Sequence, residues 1–228
     1  MFKRQINQHS KISAMKKMLF VSAGRCGTTR IAQILKECLS DEFSVQHQMP
    51  FSRLANIVGN IFYYFGESEK VKYKLYNFIT SRYSKGKHFI CTDPLTSMII
   101  PKEYIKSEDV CIVHITREPK AFAGSLFNFS RAKFKSFIAH NFITFWQIGI
   151  WPLENLLNSN IRGKYKKVAK LKNRYFTEKY SSNPNYLKID MDELFTTGII
   201  SSLIKIFFKY QIEIDDSDLN KKVNESTR

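Results

Sequence analysis

Apolar positions along this chain fall into two rhythms: short unbroken runs, and longer segments in which they recur every three or four residues. Met18–Ala23 (MLFVSA) is an unbroken run that stops at a glycine, the pattern of a strand buried on both faces. Gly24-Arg25-Cys26-Gly27 then opens into Thr28–Leu39, where Ile31, Ile34, Leu35 and Leu39 mark one helix face. Phe43–Gln46 reads as a second short strand, and Ser52–Phe65 and Val71–Tyr83 as helices with aromatic faces. His88–Thr92 and Val110–Thr116 are two more apolar runs, each followed by a turn and a helical segment. Lys120–Phe129 and Phe137–Leu157 have helical spacing, Tyr186–Ile189 is a last strand, and Gly198–Tyr210 a last amphipathic helix. Strands alternating with helices predict an α/β fold, a central parallel sheet covered on both faces in three α/β/α layers. Residues 18–214 form one domain in this reading, with a basic tail over 1–17 and a polar tail over 215–228.

The composition narrows the field. With 228 residues, 43% hydrophobic and 14% aromatic, the chain can build a core, which excludes intrinsic disorder. Thirty-six Lys and Arg against twenty Asp and Glu leave a net charge of +16. Such an excess points to anionic partners: nucleic acid, a membrane surface, or a phosphorylated or sulfated ligand. No apolar stretch approaches the roughly 20 residues needed to span a bilayer, and the N-terminal segment lacks the apolar centre of a signal peptide. The cysteines, Cys26, Cys38, Cys91 and Cys111, show neither a CxxC pair nor zinc spacing. Free thiols in a cytoplasmic protein with no metal are the expectation.

Gly24-Arg25-Cys26-Gly27-Thr28-Thr29 is the segment richest in chemistry. A loop between a buried strand and a helix aims free backbone N–H groups and the positive end of the helix dipole at one point. The glycines permit close approach, the two threonines add hydroxyls, and Arg25 adds a fixed cation. Together they suit a phosphate-like group. The loop lacks the GxxxxGK[ST] of nucleotide hydrolases and the GxGxxG of dinucleotide binders. A second cluster follows Val110–Thr116: Arg117-Glu118-Pro119 begins a helix that carries Ser125. An Arg at the carboxyl end of a buried parallel strand can grip a phosphate through two parallel N–H groups, with Ser125 as a further donor.

In order along the chain, these two clusters resemble those of the sulfotransferases that use 3′-phosphoadenosine 5′-phosphosulfate. Gly24-Arg25-Cys26-Gly27-Thr28-Thr29 is similar to their 5′-phosphosulfate loop, and Arg117-x-Pro119-x5-Ser125 to their 3′-phosphate motif. Cys91-Thr92-Asp93-Pro94-Leu95 resembles a segment that carries the catalytic His in cytosolic members, and Asn185–Leu194 their strand-plus-acid element. The resemblance implies a P-loop-like sulfotransferase fold and metal-free, in-line transfer of a sulfuryl group to a hydroxyl or amine of a small molecule or carbohydrate. It assigns Arg25, Cys26, Gly27, Thr28 and Thr29 to the 5′-phosphosulfate, Arg117 and Ser125 to the 3′-phosphate, and Arg30 to stacking on adenine. Arg25 would also stabilise charge on the bridging oxygen. Two residues are candidates for the base that takes the acceptor proton, Asp93 and His47.

The sequence departs from the family at Cys26, usually Ser, at Cys91, a Lys in cytosolic members, and at Met191, and it has no C-terminal R-K-G clamp. The stretch Arg162–Arg174 holds seven cations and no acid. It reads as a lid, as a site for an acidic acceptor, or as a solvated helix face. Two rival functions remain: an atypical P-loop kinase with Asp93 holding Mg²⁺, and a basic nucleic-acid-binding module.

Overall fold

A computed structural model describes residues 15–143, 145–149, 160–195, 198–212 and 214. Five strands form one sheet: β1 (Lys17–Ser22), β2 (Phe43–Gln46), β3 (His88–Cys91), β4 (Val110–Thr116) and β5 (Tyr186–Asp190). Their spatial order is β2-β3-β1-β4-β5 and every pairing is parallel, with Leu19 opposite both Cys91 and Ile112. The connections carry helices α1 (Thr28–Cys38), α2 (Ser52–Phe65), α3 (Glu69–Ser84), α4 (Lys102–Ile105), α5 (Pro119–Ala132), α6 (Phe134–Phe142), α7 (Ile161–Tyr180), α8 (Met191–Leu194) and α9 (Ile199–Phe208).

The unbroken apolar runs have the physical reason expected of them. Met18 and Phe20 of β1, with Val113 and Ile115 of β4, pack under α1 and α9. Leu19 and Val21, with Ile112, face the opposite layer, against Tyr76 and Ile79 of α3 and Phe176 and Tyr180 of α7. Successive side chains of a strand point to opposite faces, so a strand covered on both sides must be apolar throughout. The layered α/β/α arrangement with a parallel sheet is the one the sequence predicts.

The differences lie in the second half of the chain. The segment expected as one helix, Phe137–Leu157, is helical only as far as Phe142 among the described residues, and positions 150–157 lie outside them. Ile143 turns to extended backbone, and Phe145 and Gly149 take left-handed φ of 63° and 68°, which no helix can absorb. Lys133, likewise extended, splits α6 from α5. Lys17 joins β1 rather than the tail; the rest of the basic tail, 1–14, and the polar tail, 215–228, lie outside the described residues.

Parallel pairing has one consequence for chemistry. All five strands end on the same edge, so the residues after β2 (His47), β3 (Thr92, Asp93), β1 (Gly24 to Thr29) and β4 (Arg117) come side by side. The chain crosses over β1 in passing from β3 to β4, which makes the end of β1 the switch point where the connections diverge.

Candidate functional site

The loop after β1 is built from positive φ angles: 96° at Gly24, 55° at Arg25 and 72° at Gly27. Gly27 is constrained twice over, because a Cβ there would stand 2.6 Å from the Phe195 ring. Gly27 caps α1 with no side-chain hydrogen bond; in the first turn Arg30 N donates to Gly27 O at 3.0 Å, while the N–H groups of Thr28 and Thr29 have no acceptor among the described residues. The backbone N–H groups of Arg25, Cys26, Gly27, Thr28 and Thr29 make no hydrogen bond among the described residues. The loop therefore presents a row of donors at the positive end of a helix of three turns.

Cys26 contributes only its backbone to that row. Its side chain is buried in the core below the loop, and its thiol donates to Gly24 O at 3.1 Å. Burial pushes the thiol up to about 12, so it is neutral and tethers the loop to itself. Thr28 is buried as well, whereas Thr29 is exposed.

Arg25, Arg117 and Ser125 meet. Arg25 Nε donates to Ser125 Oγ at 3.2 Å, and Arg117 Nη1 donates to Arg25 O at 2.7 Å. The Arg25 guanidinium lies over the Phe129 ring, 4.5 Å from its centroid. Burial and then the charge of Arg117 hold the Arg25 guanidinium below its ordinary value, the mark of two cations held close with no acid between them. Arg117 Nε is buried and has no partner among the described residues. Arg30 lies over Phe195 at 4.7 Å, so its guanidinium plane is beside the loop and already stacked on an aromatic ring.

Of the two candidate bases, the fold brings one to the loop. His47 Nε2 is 3.0 Å from Thr29 Oγ1, and Nδ1 is 3.0 Å from Thr92 O. A carbonyl only accepts, so Nδ1 carries the proton and Nε2 offers its lone pair beside the loop. Burial, aided by the Lys36 charge, lowers the imidazole below its usual value and keeps it neutral, although the Thr92 bond and the Asp93 charge oppose this. Asp93 is buried, and its carboxylate is committed to the scaffold. Oδ2 accepts from Met49 N at 3.0 Å and from Ser52 Oγ, pinning the start of α2, and Oδ1 accepts from Leu95 N at 3.0 Å. Cys91, where cytosolic sulfotransferases carry Lys, is buried against Thr96, its thiol pushed by burial to about 12.

The basic stretch is α7, which packs its Tyr165, Val168, Ala169, Phe176 and Tyr180 against α5 and the sheet. Arg162, Lys166, Lys167, Lys170 and Arg174 form its exposed face, while Lys164 and Lys172 are buried. Two residues of the neighbourhood were not singled out in the sequence, His140 on α6 and Lys172 on α7. The His140 ring lies 6.3 Å from Phe129, 6.1 Å from Trp146 and 6.5 Å from Tyr165. Gln147 Nε2 donates to its Nδ1. Burial, followed by the Lys172 and Arg25 charges, pushes His140 down to about 4. Lys172 was legible in principle: it falls on the apolar stripe of α7 between Val168 and Phe176, where a cation is out of pattern.

No protein-family model matches this chain, and no curated protein matches it. Among solved structures it is similar to a sulfotransferase from Alicyclobacillus acidocaldarius, with a TM-score of 0.47 and 11% identity over 93% of this chain and 87% of the other. Among the described residues, no group of three or more His, Cys, Asp or Glu side chains is placed to hold a metal ion, and no helix is long and apolar enough to cross a membrane.

Proposed function

We propose that this protein is a sulfotransferase that moves a sulfuryl group from 3′-phosphoadenosine 5′-phosphosulfate to a hydroxyl or amine of a small-molecule or carbohydrate acceptor, releasing adenosine 3′,5′-bisphosphate. One observation carries the reading. Arg25 and Arg117, two cations without an ion pair among the described residues, meet Ser125 at the edge where a row of loop N–H groups has no acceptor among those residues. The buried Arg117 Nε is a second donor with no acceptor among the described residues. Buried polar groups left unpaired cost free energy, and an oxyanion ligand would satisfy all of these donors together. The group fits the donors that are present.

When bound, the co-substrate supplies the electrophilic sulfur and a leaving phosphate. In this reading the N–H groups of residues 25–29 and the Arg25 guanidinium hold the 5′-phosphosulfate and stabilise the charge that grows on its bridging oxygen. Arg117 and Ser125 hold the 3′-phosphate, and Arg30 with Phe195 forms an aromatic-cationic wall beside the loop for the adenine. His47 takes the acceptor proton at Nε2; Thr92 O, bonded to Nδ1–H, fixes the tautomer that places the lone pair on Nε2, where the Thr29 hydroxyl now donates to it. Asp93 acts through position, holding the start of α2 and adding negative charge near His47. The kinase alternative asks Asp93 to hold Mg²⁺, and both its oxygens are already engaged.

Isothermal titration with adenosine 3′,5′-bisphosphate tests the proposal. We expect micromolar binding that Arg117→Ala weakens about 10–100-fold, the value of a charge-assisted hydrogen-bond pair. Binding of ATP only, and only with Mg²⁺, would overturn the sulfotransferase reading in favour of a kinase.

A further inference from the structure

From Pro119 to Thr177 the chain carries eleven Lys and Arg and a single acid, Glu154. Ten of the sixteen excess positive charges thus lie in about a quarter of the sequence. None of the exposed cations among them belongs to the site at the sheet edge. Charge alone would suit any polyanion. What sets this region apart is that large apolar side chains stand exposed between its cations. Phe134, the first residue of α6, is 78% exposed and lies between the exposed Lys133 and Lys135. Phe137 follows one turn later on the same helix face, and its ring meets the exposed Phe142 ring edge-on at 5.8 Å. Ile143, next in the chain, is exposed as well.

Direct contacts hold these groups on one corner of the molecule. Arg131 in the last turn of α5 and Arg162 in the first turn of α7 both lie over the Phe127 ring, at 5.2 and 4.6 Å. On the next turn of α7 the Tyr165 hydroxyl reaches Ser130 Oγ at 3.4 Å and Asn141 Oδ1 at 3.5 Å, which fastens α7 to the ends of both α5 and α6. Among the described residues, none of Arg131, Lys133, Lys135 and Arg162 pairs with a carboxylate. Exposed aromatic side chains set among unpaired Lys and Arg are the pattern of a surface that lies in a lipid headgroup layer. A nucleic acid would use the aromatic faces as platforms for its bases. Here the Phe137 and Phe142 planes cross at 62°, and Phe127 is covered by two guanidinium groups. A lipid layer accepts apolar side chains at any angle, and it accepts the aliphatic Ile143 beside them.

We propose that the corner joining α5 to α6, with the first turns of α7 beside it, docks the protein on an anionic lipid surface. Phe134 and Phe137 enter the headgroup layer, and Arg131, Lys133, Lys135 and Arg162 meet the lipid phosphates. Each cation within a Debye length of such a surface adds to the attraction, and the inserted rings add a part that salt does not screen. The inference stands apart from the sulfotransferase reading, since none of these residues belongs to the loop after β1, to the Arg117–Ser125 cluster or to His47. The docked face nevertheless adjoins that site: Phe129, two residues before Arg131, carries the Arg25 guanidinium on its ring.

Co-sedimentation of the full chain with lipid vesicles tests the proposal. One set of vesicles is phosphatidylcholine alone, the other contains about one-third phosphatidylglycerol, at about 0.1 M salt. The protein should sediment with the anionic vesicles and bind the neutral ones at least about tenfold more weakly. Joint replacement Lys133→Gln and Lys135→Gln should weaken anionic binding about 25-fold, at about fivefold for each cation. Joint replacement Phe134→Ser and Phe137→Ser leaves the charge unchanged and should weaken it about tenfold or more. Lys70→Gln with Lys106→Gln removes the same charge from exposed positions on other elements and should change binding less than about twofold. All of these side chains are exposed, so the thermal midpoints of the variants should match that of the wild type. Equal binding to both vesicles, binding to neither, full binding by the phenylalanine variant, or an equal loss in the Lys70 and Lys106 control overturns the proposal. Retention on a single-stranded oligonucleotide but on neither vesicle overturns it too, and gives the face to nucleic acid. Because no outcome reads sulfuryl transfer or bisphosphate binding, failure here leaves the sulfotransferase reading untouched.

Discussion

Two charged regions of this molecule differ in one respect, whether the fold itself supplies the counter-charge. At the corner joining α2 to α3, Glu67 accepts from Lys72, Lys179 and Tyr175, and Glu69 accepts from Lys72 and from Lys102 N. Three titratable side chains of α3 and α7 are tied to one carboxylate. At the carboxyl edge of the sheet, Arg25, Arg117 and the loop amides face one another with no ion pair among the described residues, and Lys172 has none there either. Opposite charges brought together by the fold are scaffold, which holds α7 against the α2–α3 corner. Like charges gathered by the fold are left for something from outside to neutralise, and that is why the proposed function is placed in the second region.

The largest effect expected belongs to the site. His47→Gln should lower kcat by about 10²–10⁴-fold, the usual contribution of a general base, with the fold unchanged by circular dichroism. Wild-type kcat/KM should be flat at neutral pH and decline below the ordinary histidine range, because burial lowers the pKa of His47. An undiminished rate in the variant would remove His47 from the mechanism.

At the corner, Glu67→Ala strands Lys72 and Lys179 next to each other and should cost about 2–3 kcal/mol in urea unfolding. That is below the roughly 3–5 kcal/mol of breaking a fully buried pair, since Glu67 is 35% exposed and Glu69 remains. Burial alone would raise the Glu67 carboxyl, but the bonds from Lys179, Lys72 and Tyr175 outweigh it and hold it at about 2. A carboxyl depressed in the folded state contributes stability that is fully present above its unfolded pKa of about 4.3 and lost as the pH falls through about 2. Wild-type stability should therefore decline across that window, and Glu67→Gln should flatten the decline. A variant curve that falls as steeply as the wild type would show that the corner does not rest on this charge.

Gly27→Ala comes next. Left-handed backbone and a clash with the Phe195 ring should destabilise the protein by about 1–3 kcal/mol. Gly24→Ala meets no atom within 4 Å and should cost less, through backbone strain alone. Equal unfolding midpoints for the two variants would mean that Phe195 does not roof the loop. The smallest effect is reserved for Arg174→Ala, whose pair with Glu178 is surface-exposed on both sides. Its thermal midpoint should match that of the wild type, separating the solvated cations of α7 from the buried Lys172.

The sequence by itself determined the alternation of strands and helices, and hence the parallel sheet, because residues buried on both faces must form unbroken apolar runs. It also located the loop after β1 and the Arg117–Ser125 cluster, since glycines, an arginine and hydroxyls at a strand end are local signals. Where the sequence left Asp93 and His47 side by side as candidate bases, the tertiary structure separated them: one carboxylate turned inward to Met49 N and the Ser52 hydroxyl at the start of α2, one imidazole turned to Thr29. No local pattern encodes which direction a side chain takes after a strand end. The break of the segment after α6 was equally hidden, because apolar spacing continues through positions whose backbone leaves the helix. The same holds for Lys172, one cation in a run of seven until packing buried it with Lys164 and left the other five exposed. Pairing and burial join residues distant in sequence, so only the folded chain decides which charges have partners.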